Sequence, residues 1–286
     1  MNVALRAIPF ALAFAWQAAP AKPFRIIEAG IHQSEDGPLS PPGTIVVPGE
    51  VIFFSCRLDG YDVSPAKKVA IKYEFSALDP GGVPIVEPVS GKIDTELAPQ
   101  DKEWRPKIRQ TVLVPPLAQS GTYKVRISAT DELSGSVVSA EASFDVRGHA
   151  VEPSDTLVVR NFRFLRTEDD TEPLKIASYR PGDTVWARFD ITGYKMGPGN
   201  QREVAYTLTV NRADGKLFLP PGEPTVDKGT SFYPMRYAPC VISLNLQPTI
   251  KPDEYTILVT DTVTGTTKVY TNPQGVFASL GDTAAF

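Results

Sequence analysis

The sequence predicts an all-β protein: two tandem antiparallel β-sandwiches after an N-terminal export signal. Three observations predict it. The chain repeats itself, because Pro48-Gly49-Glu50, a strand-like run and Gly60-Tyr61 recur as Pro181-Gly182-Asp183, a strand-like run and Gly193-Tyr194 at the same spacing. The strongest runs alternate apolar and polar residues with period two, as strands with one buried face require. With 27 prolines and 21 glycines among 286 residues, the chain is rich in turn formers and poor in helix-period segments. That length gives each of two domains enough chain to bury its own core.

The elements follow in order. Arg6, the apolar stretch 7–16 and the small residues of Ala19-Pro20-Ala21 read as a signal peptide, residues 1–21, cleaved after Ala21. The apolar stretch falls short of the roughly 20 residues a spanning helix needs, and no later segment reaches that length, so the mature chain carries no expected transmembrane segment. The first sandwich occupies 22–147. Its expected strands run near 24–31, 52–58, 69–75, 108–114, 123–130 and 137–146. Ile52, Phe54, Cys56 and Leu58 form one inward row, and Val69, Ile71, Tyr73 and Phe75 another. A polar linker spans 148–156. The second sandwich, 157–278, repeats the pattern near 157–165, 185–191, 204–210, 240–246, 254–260 and 267–270, and a loose tail spans 279–286. Its inward rows are Val185, Ala187, Phe189, Ile191 and Val204, Tyr206, Leu208, Val210. Each copy should hold about seven short strands.

Gly121-Thr122-Tyr123 and Asp253-Glu254-Tyr255 each open an alternating strand that ends in Asp-x-x-(Ser/Thr)-Gly: Asp131 to Gly135 and Asp261 to Gly265. This pattern resembles the penultimate strand and final hairpin of the immunoglobulin-like or fibronectin type III-like modules of secreted bacterial proteins. The resemblance implies a tyrosine corner at Tyr123 and Tyr255, each hydroxyl bonding back to the backbone. Both copies lack the cysteine pair of antibody-type domains, so it extends to the disulfide-free branch.

The remaining chemistry is sparse. Cys56 and Cys240 align with Phe189 and Ile108, apolar positions in different copies, so both are expected as buried unpaired thiols with no disulfide. Asp131, Gly135 and their counterparts read as turn residues. Glu35-Asp36 and Glu168-Asp169-Asp170 read as solvated acidic loops, since the ligand count for calcium is not maintained between copies. His32 and His149 stand apart from any metal-ligand spacing, and no nucleophile elbow, phosphate loop or dinucleotide fingerprint accompanies them, so no metal, cofactor or catalytic residue is assigned. A net charge of −4 without a basic block gives nucleic acid no electrostatic footprint.

The residues least explained by a core are aromatic and basic. Phe53 and Trp186 share the outward face of matching strands. Trp104-Arg105 lies in the long connection between the middle strands of copy one, and Phe232-Tyr233-Pro234-Met235-Arg236-Tyr237 in the matching connection of copy two. Either these loops fold back and bury their rings, or Trp104, Arg105, Phe232, Tyr233, Arg236 and Tyr237 form a ligand-binding surface for a protein or polysaccharide of the cell envelope. The expected protein is therefore non-catalytic, periplasmic or extracellular, and a binding or structural module. The alternatives are a carbohydrate-binding module for envelope polysaccharide and a two-domain periplasmic chaperone.

Overall fold

The computed structural model describes residues 22–101, 103–180, 182–211, 216–217, 222–246, 254–261, 265 and 267–272, with the backbone alone for 254–261 and 270–272. The expected signal peptide and C-terminal tail lie outside the described residues. The described chain is all-β, with one 3₁₀ turn at Pro198–Asn200 and no α-helix.

In the first half, β1 (Arg25–His32), β3 (Val51–Asp59) and β6 (Lys107–Leu113) form a sheet of order β1-β3-β6. A second sheet holds β2 (Ile45–Val46), β4 (Lys68–Leu78), β5 (Val89–Glu96), β7 (Gly121–Asp131) and β8 (Val137–Val146), in the order β2-β8-β7-β4-β5. In the second half, β9 (Val158–Leu165), β10 (Thr184–Thr192) and β13 (Tyr237–Asn245) pair as β13-β10-β9. The remaining strands β11 (Arg202–Asn211), β12 (Thr225–Gly229), β14 (Glu254–Asp261) and β15 (Thr267–Asn272) pair as β12-β11-β14-β15. Every pairing is antiparallel except β2 with β8. Pro239 lies within β13, an outer strand, where a missing N–H breaks no ladder.

The inward rows are where the alternation puts them. Ile52, Phe54, Cys56 and Leu58 are buried against Val69, Ile71, Phe75, Val125 and Ile127 from the facing sheet. Phe189, Ile191, Val204, Tyr206 and Cys240 are buried together in the second half. Cys56 and Cys240 are both free and buried. The registers explain their alignment: Cys56 lies opposite Ile108 and Phe189 opposite Cys240, so the small and large members of one cross-strand pair trade strands between halves.

The duplicated turns recur bond by bond. Glu50 accepts Val47 N–H with its carboxylate, and Asp183 accepts Arg180 N–H in the same way. Gly49 N donates to Val114 O and Gly182 N to Leu246 O. Gly60 and Gly193 have φ of 73° and 77°. A Cβ there would sit 2.3 Å from Pro23 O or 1.7 Å from Thr156 O, where the chain enters each half. Glycine is the residue that tolerates both constraints.

Two features differ from the expectation. The long connection between the middle strands carries an extra outer strand in each half, β5 and β12. Charges at Lys92, Asp94 and Glu96 suit an edge facing water and mask the strand period. Gly91 lies beneath the Tyr73 ring, which fills the place of its missing side chain. The first strand of each half also bulges, between Ile27 and Gly30 and, in β9, between Arg160 and Arg163. Glu28 and Asn161 occupy matching places in these bulges with φ of 53° and 52°. Their side chains reach matching positions on the next strand, Glu28 to Arg57 and Asn161 to Asp190.

Candidate functional site

The six residues singled out by sequence do not come together. Trp104 and Arg105 sit beyond the end of β3. Tyr233 and Arg236 sit against Asp79, beyond the far end of β4. β4 starts where the β3 connection delivers it and runs 11 residues, roughly 35 Å of strand. The two groups therefore occupy opposite ends of the first half, and the expected common surface is not formed.

At the free end, the Tyr61 hydroxyl donates to Trp104 O at 2.6 Å, and the two rings meet edge to face with centroids 6.5 Å apart. Arg105 Nε lies 3.5 Å from Asp59 Oδ1, while Arg25 Nε donates to Asp59 Oδ2 at 3.0 Å. The Arg25 hydrogen bond, with the nearby charges of Arg105, Arg25 and Lys22, holds the Asp59 carboxyl below the usual carboxylate range. Burial and then the Asp59 charge push the Tyr61 phenol up. A recess of about 260 Å³ opens here, lined by Tyr61, Asp62, Glu103, Trp104, Arg105 and Lys22. Trp104 is 37% exposed at the rim of this polar, charged recess.

At the other end, the matching connection of the second half is used up inside the protein. Tyr233 is 6% exposed and joins the core cluster of the first half. Its hydroxyl donates to Asp79 Oδ2 at 2.9 Å, and Arg236 approaches the same oxygen at 3.4 Å. Asp79 Oδ1 accepts Gly81 N and Val83 N, each at 2.8 Å, so this buried carboxylate is bonded on both oxygens. Burial and the bond to Asp79 push the Tyr233 phenol up. Tyr237 is also buried, its ring 5.7 Å from that of His149, and burial pushes its phenol up to about 12. For Tyr233 the loop folds back, because the end of the first half supplies an apolar core to cover the ring, whereas Tyr237 opens β13 and is buried beside the linker residue His149. Phe232 stays 48% exposed above an apolar groove of about 440 Å³ that includes Val86, Leu113, Pro115, Pro116 and Met235.

The tyrosine corner implied for copy one is present: Tyr123 is fully buried and its hydroxyl donates to Gln119 O at 3.0 Å. The side chain of Tyr255 lies outside the described residues. Asp131 is a turn residue, accepting Leu133 N, Ser134 Oγ and Asp62 N. The acidic loops are tied down rather than merely solvated. Asp36 meets Lys107 and Arg109, and Asp170 accepts Arg166 N and Thr167 N.

Sequence reasoning missed the partners of both histidines. Ser55 Oγ lies 2.8 Å from His32 Nε2, and His32 Nδ1 is 2.9 Å from Gly37 O. This is the spacing of a nucleophile and base, but Ser55 is 3% exposed in mid-strand. His149 Nε2, in the linker, lies 2.7 Å from the buried Asp190 carboxylate of the second half. Among the described residues no group of three His, Cys, Asp or Glu side chains converges as a metal site, and no helix is long and apolar enough to cross a membrane.

No family model and no curated protein matches the chain. Among solved structures, the chain is similar to the C-terminal domain of the Streptococcus agalactiae AgI/II polypeptide BspA, with 14% identity over 87% of this chain and 98% of that one, at a TM-score of 0.30. A tetra-tandem repeat from the extending region of a large adhesion protein matches with 12% identity over 88% of this chain and 49% of that one, at a TM-score of 0.28. The Pseudomonas fluorescens alkylpurine DNA glycosylase AlkC bound to DNA containing an abasic site analog matches with 14% identity over 44% of this chain and 30% of that one, at a TM-score of 0.27. At these TM-scores the likenesses decide nothing about fold or function.

Proposed function

We propose that the protein is an exported, non-catalytic binding module of the cell envelope or extracellular space, built as two tandem immunoglobulin-like sandwiches joined end to end. The two matching sheet orders, three strands facing four or five, support the sandwich reading. The observation that carries the functional reading is the free end of the first half. There the Trp104–Arg105 connection stays open over Tyr61 and Asp59, while its counterpart in the second half is spent on the junction. An exposed ring beside paired charges is a surface for recognition rather than for bond-breaking. The same ring over polar groups favours polysaccharide as one ligand class, since a pyranose face stacks on tryptophan while its hydroxyls meet Asp62, Glu103 and Arg105. The chaperone alternative needs a basic cleft between the halves, and the groove at 231–235 is apolar instead.

The test is an affinity pull-down from envelope extract with the wild type and a Trp104→Ala/Arg105→Ala variant in parallel. A protein or polysaccharide held by the wild type and lost by the variant supports binding at the free end. Equal retention by both moves the site elsewhere, and retention of nothing by a folded wild type leaves a structural spacer.

A further inference from the structure

The outward face of the β9–β10 pair holds an arrangement that neither the core nor the junction uses. Arg163 on β9 lies directly opposite Arg188 on β10, so the two side chains leave the sheet on the same face, their Cβ atoms about 5 Å apart. Like charges in that position destabilise a sheet unless something lies between them. Each guanidinium donates to a backbone carbonyl, Arg163 to Asn161 O at 3.1 Å and Arg188 to Glu168 O at 2.6 Å. Among the described residues neither meets a carboxylate. The nearest acid along the same face, Asp190, is already taken by His149 and Asn161. The carbonyl bonds hold both groups in place, and both remain partly open to solvent with donors to spare.

Trp186 is two residues before Arg188 on the same strand and therefore on the same face. It is half-buried, opposite Leu165 on one side and Ser243 on the other. The matching face of the first half has Phe53, with Gly30 and Ser55 in place of the two arginines. The charge pair is thus a feature of one copy and no requirement of the fold.

We infer that Arg163, Arg188 and Trp186 form a binding site for an acidic polysaccharide, the two guanidiniums meeting oxyanions spaced along the polymer while a sugar ring lies against Trp186. A planar, fixed guanidinium matches carboxylate and sulfate oxygens through paired N–H bonds, which a lysine cannot imitate. The flat indole beside the fork selects a sugar over an acidic peptide. This site lies apart from Trp104 and Arg105 and stands independently of the function proposed for them.

Affinity electrophoresis of the whole protein through gels containing polygalacturonate, dextran sulfate, neutral dextran or polyglutamate tests the assignment. Retardation by polygalacturonate or dextran sulfate is expected, and the stronger of the two identifies the oxyanion as carboxylate or sulfate. Arg163→Gln and Arg188→Gln should each weaken that retardation at least tenfold, and the double variant should abolish it. Trp186→Leu should weaken it while the variant keeps the wild-type β spectrum. Because removing one of two facing charges relieves repulsion, Arg188→Gln should melt no lower than wild type, which separates a lost site from a lost fold. The inference is overturned if neither acidic polymer is retarded, if the double variant is retarded like wild type, or if dextran or polyglutamate matches the acidic polysaccharides.

Discussion

Tyr233 belongs to the second half by sequence and to the first half by packing, so its removal should injure the first half. The ring is nearly buried within the first-half core. Truncating a large buried aromatic to alanine costs about 3–5 kcal/mol. Tyr233→Phe isolates the hydroxyl. A hydrogen bond to a charged group contributes about 1.5–3 kcal/mol, and the lower end applies here because Asp79 keeps Gly81 N, Val83 N and Arg236. Urea denaturation gives the totals, and hydrogen exchange locates them. In Tyr233→Ala the amides of Gly81 and Val83 should lose protection together with the end of β4, although these residues are some 150 positions away in the chain. A cycle of Tyr233→Phe with Asp79→Asn should show coupling of about 0.5–3 kcal/mol, as contacting residues do. Loss of protection confined to 225–246, with Gly81 and Val83 unaffected, would refute the reasoning, since the ring would then not be part of the first-half core.

Further outcomes follow from the same geometry. Gly60→Ala and Gly193→Ala should each lower stability by more than about 1 kcal/mol, because a Cβ at positive φ would also strike a backbone carbonyl; paired denaturation curves check whether the two copies respond alike. Trp104→Ala should change the unfolding free energy by less than about 1 kcal/mol, since the Tyr61 bond is to the Trp104 backbone. Burial pushes the Cys56 and Cys240 thiols up to about 12 from 9.0, so the folded state holds protons that the unfolded state releases. Their contribution to stability is complete below about pH 9 and falls as pH rises toward 12. Urea midpoints measured from pH 8 to 11 should decline over that window, with both thiols resisting alkylation at pH 8 until the protein unfolds.

Much of the architecture was legible because it is written locally. Period-two rows such as Ile52, Phe54, Cys56 and Leu58 need only one strand to be read, and the Pro-Gly-acid turns carry their geometry in three residues. The edge strands β5 and β12 were not legible, because an edge avoids the alternation that would reveal it. The bulges at Glu28 and Asn161 left no signal either, since neither residue is a glycine that would mark a positive φ. The candidate surface was half legible. Sequence pointed to the matching connections 104–105 and 232–237, but their fates diverge only because one copy has a neighbour at that end. Asp79 and Tyr233 are separated by 154 positions, and nothing near either residue encodes their meeting.

The two cores offer a stricter test of how deep the duplication runs. Along β3 the inward row places a large ring at Phe54 and a small thiol at Cys56, whereas the matching positions on β10 are Ala187 and Phe189. Each ring finds an aromatic in the facing sheet at the same separation, Phe54 with Phe75 and Phe189 with Tyr206, both at 5.4 Å. The two halves have thus kept one ring per row and moved it by one inward step. Phe54→Ala alone should cost about 3–5 kcal/mol through the cavity it leaves. Cys56→Phe alone should cost about 1–3 kcal/mol through overpacking against Ile108. Combined, they imitate the second half: the new ring has the space vacated by Phe54 beside it, so the double variant should be more stable than the sum of the two costs by about 0.5–3 kcal/mol. Additivity within about 0.5 kcal/mol would mean that each core is fitted to its own ring position, and that the common pattern reaches the turns and strand rows but stops short of the packing between them.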